Sequence, residues 1–144
     1  MPRFSDVSHI SLSVRDAERT AQWWKDVFGL RELVRLDHEE GWHGILLELT
    51  EVIALEFQQH DANAGEAFDP VRTGFDHIGL AVDSRQDLVE WQAHFGACGV
   101  VHTPVVDRDY GSVLTFKDPD LIQFELFYLS PDFEAAVRAE RSEG

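Results

Sequence analysis

The sequence has little of three things: cysteine, long uncharged apolar runs and positive charge. The single cysteine, Cys98, excludes an intramolecular disulfide and fits a reducing compartment. No segment approaches the roughly eighteen apolar residues of a membrane-spanning helix, and the N-terminal residues lack the apolar core of a signal peptide. We therefore expect a cytoplasmic protein with no membrane partner.

Positive charge is scarce: the sequence has 12 lysines and arginines and 27 acidic residues, which gives a formal net charge of −15. A field of this sign repels nucleic acid, so we expect no nucleic-acid partner. Apolar residues nevertheless make up 44% of the 144 residues. A chain of this length and composition can bury the core of about one domain.

One stretch of the sequence occurs twice. VSHISLSVR at 7–15 aligns with FDHIGLAVD at 75–83, an offset of 68 positions that sets His9 opposite His77. The alignment extends downstream into a helical pattern in each half, and repeats of this kind are the first guide to a fold. The repeat predicts that both halves have the same order of elements.

Each half has the pattern of a strand, a helix and three further strands. The first strands are predicted at about 7–14 and 75–82, where apolar and polar residues alternate. The helices are predicted at 16–28 and 84–98, with Asp16 and Ser84 as N-caps. The later strands are predicted at 31–37, 44–50 and 52–58, and at 100–106, 111–117 and 121–129.

The predicted fold class is α+β, built from two βαβββ modules in a single domain. The modules cover 1–60 and 75–129, a polar linker covers 61–74, and a C-terminal tail with a short helix covers 130–144. In the second helix Cys98 continues the apolar spacing of Leu88 and Phe95. We therefore expect Cys98 to be a small buried hydrophobe.

Both histidines of the repeat lie on a strand face that carries small residues. Side chains alternate across a strand, so every second residue shares that face. The small residues on it are Ser11, Ser13, Gly79 and Ala81. Small side chains leave room that a packed core would fill, which indicates either a hollow or an ordinary concave sheet surface.

The last strand of each half carries a glutamate, Glu56 or Glu125, between apolar residues. A carboxylate in an apolar strand is costly unless it is paired or binds a metal. One such glutamate would more often face solvent, but these two are 69 positions apart, one more than the histidines. Two imidazoles and two carboxylates are a donor set for Zn²⁺, Ni²⁺, Co²⁺, Mn²⁺ or Fe²⁺.

These motifs together resemble the vicinal oxygen chelate superfamily, which includes glyoxalase I, bleomycin-binding proteins and extradiol dioxygenases. The resemblance covers about residues 5–129. Its carriers are the paired modules and the motifs HISLSV, FGL, DHIGLAV and KDPDLIQFEL. It implies a curved eight-stranded sheet that encloses a metal, and usually a homodimer.

Carried over by position, the implied metal ligands are His9, Glu56, His77 and Glu125, a set similar to that of bacterial glyoxalase I. The resemblance implies a metal-dependent lyase or isomerase similar to lactoylglutathione lyase. Such an enzyme acts on a small oxygen-chelating substrate through an enediolate-like intermediate. Glu125 or Glu56 would be the catalytic base, with Glu125 favoured.

Two other functions of the same superfamily stay open. An extradiol-type Fe²⁺ dioxygenase needs two histidines and one glutamate, which leaves Glu56 without a role. A non-catalytic protein that binds a small molecule or antibiotic would use the acidic charge to hold a cationic ligand. The sequence also departs from glyoxalase I at Asp76, where glycine or histidine is usual before His77, and it lacks the asparagine that glutathione-dependent enzymes use.

Overall fold

The first half of the chain folds as one helix packed on a four-stranded sheet. The computed structural model describes residues 6–38 and 41–142, and these divide into two compact units between Phe68 and Asp69. The sheet order β1-β4-β3-β2 has β1 parallel to β4 and the other neighbours antiparallel. The elements of this unit are β1 (His9–Ser13), α1 (Ala17–Phe28), β2 (Glu32–His38), β3 (Trp42–Glu48) and β4 (Ala54–His60).

Helix α1 begins and ends where its capping residues predict. Asp16 accepts a hydrogen bond from the backbone N–H of Arg19 at 2.9 Å, and Gly29 ends the helix at φ 68°, a conformation that costs glycine little. The ring of Trp24, on the buried side of α1, lies 6.0 Å from the ring of Phe57 on β4. The helix therefore covers the sheet face that carries Phe57, and the histidine face of β1 is the opposite one.

The second half repeats this topology around a five-stranded sheet. The order is β5-β9-β8-β6, β7 also pairs with β8, and β5 is parallel to β9. The elements are β5 (His77–Ala81), α2 (Arg85–Cys98), β6 (Val101–His102), β7 (Val106–Arg108), β8 (Gly111–Lys117), β9 (Gln123–Leu129) and α3 (Pro131–Ser142). The predicted α+β class with two βαβββ modules is confirmed.

The strand predicted at 100–106 is divided in two. Strands β6 and β7 both pair with β8, and Thr103, Pro104 and Val105 separate them. Pro104 has no amide hydrogen and cannot donate to the ladder, so the strand breaks around it. Within residues 6–38 and 41–142 the strands therefore number nine, in sheets of four and five, where the sequence predicted eight.

Helix α2 buries only part of the apolar face that the spacing of Leu88, Phe95 and Cys98 predicts. Leu88 and Phe95 are fully buried, and the ring of Phe95 lies 4.9 Å from that of Phe116 on β8. Cys98 is exposed, and its Sγ lies 3.7 Å from Nε2 of His94. The prediction that Cys98 is buried is wrong, because helical spacing fixes the direction of a side chain and not what covers it.

The tail after β9 forms the helix that the sequence predicts. Pro131 is its first residue, and the backbone N–H of Glu134 donates to the carbonyl of Ser130 at 2.8 Å. None of the helices in the described part of the chain is long and apolar enough to cross a membrane.

Candidate metal site

In the second unit a histidine and a glutamate on neighbouring strands meet on one face of the sheet. Strand β5 lies parallel to β9 with Gly79 opposite Glu125. His77 is two residues before Gly79, so it points to the same face and lies diagonally across from the carboxylate. Nε2 of His77 is 3.5 Å from Oε2 of Glu125, and Thr115 on β8 donates its hydroxyl to Oε1 of that carboxylate at 3.3 Å.

The first unit places its histidine and glutamate in the same strand register. Ser11 on β1 lies opposite Glu56 on β4, and His9 is two residues before Ser11 on the same face. Glu56 is only 4% exposed, and its Oε1 accepts a hydrogen bond from Nε2 of Gln58 at 3.2 Å. Glu56 is therefore a buried and hydrogen-bonded carboxylate, not a solvent-facing strand residue.

Gly44 on β3 makes room for the Glu56 carboxylate. It lies opposite Gln58 in the β3–β4 register, and a Cβ at this position would come within 2.9 Å of Glu56 Oε1. The same Cβ would be 3.5 Å from Gln58 and from the ring of Trp42. The bare backbone of Gly44 therefore allows the carboxylate to lie over β3.

Each histidine binds the side chain of the residue before it through Nδ1. Oγ of Ser8 lies 2.9 Å from Nδ1 of His9, and Oδ1 of Asp76 lies 2.5 Å from Nδ1 of His77. Ser8 and Asp76 are 68 positions apart, as the histidines are. A histidine held at Nδ1 has Nε2 as its metal donor.

The donor chemistry of these pairs fits a divalent transition-metal ion. Imidazole nitrogen and carboxylate oxygen are ligands of Zn²⁺ and its neighbours. Two such donors, each about 2.1 Å from one ion, are about 3.0–3.4 Å apart at the usual coordination angles. The His77–Glu125 separation of 3.5 Å is close to this value. No three histidine, cysteine, aspartate or glutamate side chains cluster as a metal site within residues 6–38 and 41–142.

The repeated topology and its repeated donors define a class of protein. Two βαβββ modules, each with a parallel pairing of its first and last strands, form the vicinal oxygen chelate fold. The chain belongs to the Glyoxalase/Bleomycin resistance protein/Dioxygenase superfamily, whose sequence model matches residues 6–126.

Solved structures share this fold. A glyoxylase/bleomycin resistance protein/dioxygenase domain from Frankia sp. EAN1pec superposes with a TM-score of 0.81 at 29% identity. The match covers 89% of this chain and 100% of that one. The fosfomycin resistance protein FosX from Mesorhizobium loti superposes with a TM-score of 0.68 at 23% identity, over 93% of this chain and 99% of that chain.

A curated relative is similar in sequence. Lactoylglutathione lyase GLX1 from Arabidopsis thaliana is 30% identical over 125 residues. The match covers 85% of this chain and 44% of the relative. The chain therefore spans less than half the length of the curated protein that it matches.

The sequence predicts four metal donors, which stay a prediction, but it does not predict which residues contact the two glutamates. Gly44, Gln58 and Thr115 contact the two glutamates from the same or a neighbouring strand. The contacts of Gly44 and Thr115 depend on strand register, which the sequence pattern leaves open, whereas Gln58 shares the strand of Glu56. The contacts of Ser8 and Asp76 with the histidines could have been predicted, because each residue directly precedes a histidine of the repeat.

Proposed function

We propose that this protein is a metal-dependent lyase or isomerase of glyoxalase type that acts on a small substrate with two adjacent oxygen atoms. The observation that carries the proposal is that each unit has a histidine and a glutamate on one face of its sheet, with Nε2 of His77 3.5 Å from Glu125. His9, Glu56, His77 and Glu125 would hold the ion, one of Zn²⁺, Ni²⁺, Co²⁺, Mn²⁺ or Fe²⁺. A bound divalent ion stabilises negative charge that develops on substrate oxygens.

We assign proton transfer to Glu125 and the role of a fixed ligand to Glu56. Glu56 is buried, and Gln58 holds its Oε1. The side chain of Glu125 is 24% exposed, and its hydrogen bond from Thr115 is long at 3.3 Å. The less buried carboxylate can turn toward the substrate, take a proton from one carbon and deliver it to the next.

The substrate class that we propose is the adduct of a 2-oxoaldehyde with a thiol. Similarity to a lactoylglutathione lyase supports this class. This sequence lacks the asparagine that glutathione-dependent enzymes use, so we do not assign glutathione as the thiol. Isomerisation of such an adduct moves one proton between adjacent carbons, which a single carboxylate can do.

We also propose that the protein is a cytoplasmic homodimer. Its single cysteine fits a reducing compartment, and members of the superfamily are often dimeric. Each unit contributes one histidine and one glutamate to the proposed ligand set. The ion would take two ligands from a first unit and two from a second unit. The two units would belong either to one chain or to two partner chains.

Metal-free protein reconstituted with each of the five ions tests this function. We expect uptake of one ion per site and turnover of methylglyoxal with glutathione, cysteine or another small thiol, both lost on chelation. Glu125→Gln should lower kcat about 10²- to 10⁴-fold, the usual contribution of a general base. Glu90→Gln, an exposed change on α2, is the matched control and should leave turnover unchanged.

Three results would count against the proposal. Failure to take up any of the five ions would remove the metal site. A metal-loaded protein that turns over methylglyoxal with none of the thiols would remove the glyoxalase-type activity. Full activity in Glu125→Gln would assign the base to another residue.

A further inference from the structure

Asp76 makes a contact that the four-ligand site does not require. It stands directly before β5, and its Oδ1 lies 2.5 Å from Nδ1 of His77. The other nitrogen of the same ring, Nε2, faces Oε2 of Glu125 at 3.5 Å. One imidazole is thus held between a carboxylate outside the ligand set and a carboxylate within it.

We propose that Asp76 is a positioning residue that fixes the ring of His77 and directs Nε2 toward the metal. This inference rests on the proposed metal site. A carboxylate beside Nδ1 accepts its N–H, so the proton stays on Nδ1 and the lone pair is on Nε2. A carboxylate partner of this kind also strengthens the imidazole as a donor to a metal.

The two halves of the protein differ at this point. His9 has the hydroxyl of Ser8 at Nδ1, where His77 has the carboxylate of Asp76. A hydroxyl carries no charge and can donate or accept, so it holds the tautomer of His9 less firmly. Asp76 therefore makes His77 the more strongly oriented of the two histidine ligands.

The contact between Asp76 and His77 is poorly suited to a purely structural role. The side chain of Asp76 is 65% exposed and that of His77 is 40% exposed. Pairs this exposed contribute little to the free energy of folding. Loss of the Asp76 carboxylate should therefore change the tautomer and the metal affinity while the protein stays folded.

The test compares wild type with Asp76→Ala and Asp76→Asn. Nitrogen NMR of metal-free protein at a pH of about 8, where an ordinary histidine is neutral, reports which ring nitrogen of His77 carries the proton. Calorimetry reports the metal Kd. We expect a shift toward the Nε2–H form and a Kd about 10- to 100-fold weaker in Asp76→Ala. Asp76→Asn, whose Oδ1 still accepts, should lie between Asp76→Ala and wild type.

Asp83→Asn is the matched control, because it removes the same charge just after the other end of β5. It should leave the tautomer and the Kd at their wild-type values. Wild-type tautomer and affinity in Asp76→Ala would overturn the inference. Equal weakening in Asp76→Ala and Asp83→Asn would also overturn it, since net charge would then be the cause. No metal uptake by the wild type would instead refute the proposed function and remove this inference with it.

Discussion

At the scale of single residues, the two glutamates differ although the repeat makes them equivalent. Glu56 is buried, with Gln58 as hydrogen-bond donor and the bare backbone of Gly44 beneath its carboxylate. Glu125 is partly exposed and has the hydroxyl of Thr115 as its donor. The local neighbours therefore favour a fixed role for one carboxylate and a mobile role for the other.

Gly44→Ala tests whether the space above Gly44 positions the Glu56 carboxylate. The new Cβ would come within 2.9 Å of Oε1, so the flexible end of Glu56 must turn away while the strand stays in place. We expect metal affinity to fall at least about tenfold, as it does when residues that orient a ligand are changed. Calorimetric titration of the metal-free variant measures this change.

Gly96→Ala is the control for this substitution, because a Cβ at Gly96 on α2 meets nothing within 4 Å. It should bind metal as the wild type does. Identical metal affinities for Gly44→Ala and wild type would show that the space above Gly44 has no part in placing Glu56.

The internal repeat predicts which four residues are candidate metal donors. It does not predict the contacts that these residues make. The positions of His9, His77, Glu56 and Glu125 follow from two alignments with offsets of 68 and 69. That Gly44 lies beside Gln58 follows from the β3–β4 register, and a shift of one residue would reverse every side chain. Sequence alone therefore predicts four candidate donors and not the packing around them.

At the scale of elements, an ion pair links α2 to the β7–β8 hairpin. Arg85, the first residue of α2, donates to Asp107 on β7 through Nε at 2.8 Å and Nη2 at 2.9 Å. The hydroxyl of Ser112 on β8 donates to the same carboxylate at 2.7 Å. These bonds, that from Arg85 first, lower the pKa of Asp107 to about 2.

Arg85→Gln should raise the pKa of Asp107 from about 2 toward its ordinary value of 3.8. Because the pKa in the folded protein is the lower one, the pair stabilises fully above about pH 4 and loses this effect as the pH falls toward 2. NMR titration of the Asp107 carboxyl measures the pKa, and unfolding at several pH values measures the stability.

The matched control is Arg138→Gln, since Arg138 on α3 pairs with Glu134 instead. It should leave the titration of Asp107 unchanged. A pKa near 2 in Arg85→Gln would mean that Ser112 or another group, and not the guanidinium, holds the carboxylate ionised.

The ends of a helix or strand could be predicted where residues close by in the sequence determine them. Capping residues placed the starts of α1 and α2 correctly because a cap bonds within one turn of its own helix. The first strands are shorter than predicted, at His9–Ser13 and His77–Ala81, because pairing with β4 and β9 sets their length. The strand predicted at 100–106 is broken at Pro104, which cannot donate to the ladder.

At the scale of the whole molecule, the internal repeat yields two units with the same topology. The α+β class and membership of the superfamily follow from the repeat and from the family match over residues 6–126. We propose that the two donor pairs meet at one ion, which would depend on how the units assemble. No periodic pattern within a strand or helix encodes it, so it remains the main proposal.

A crystal soaked with Mn²⁺, Co²⁺ or Ni²⁺ and measured for anomalous scattering tests that proposal most directly. The predicted result is an anomalous peak with His9, Glu56, His77 and Glu125 all about 2.0–2.2 Å away, with each half of the repeat providing two ligands. The chain origin of each pair would show whether the site forms within one chain or between two. No peak, or a peak bound by one pair alone or by other residues, would contradict it.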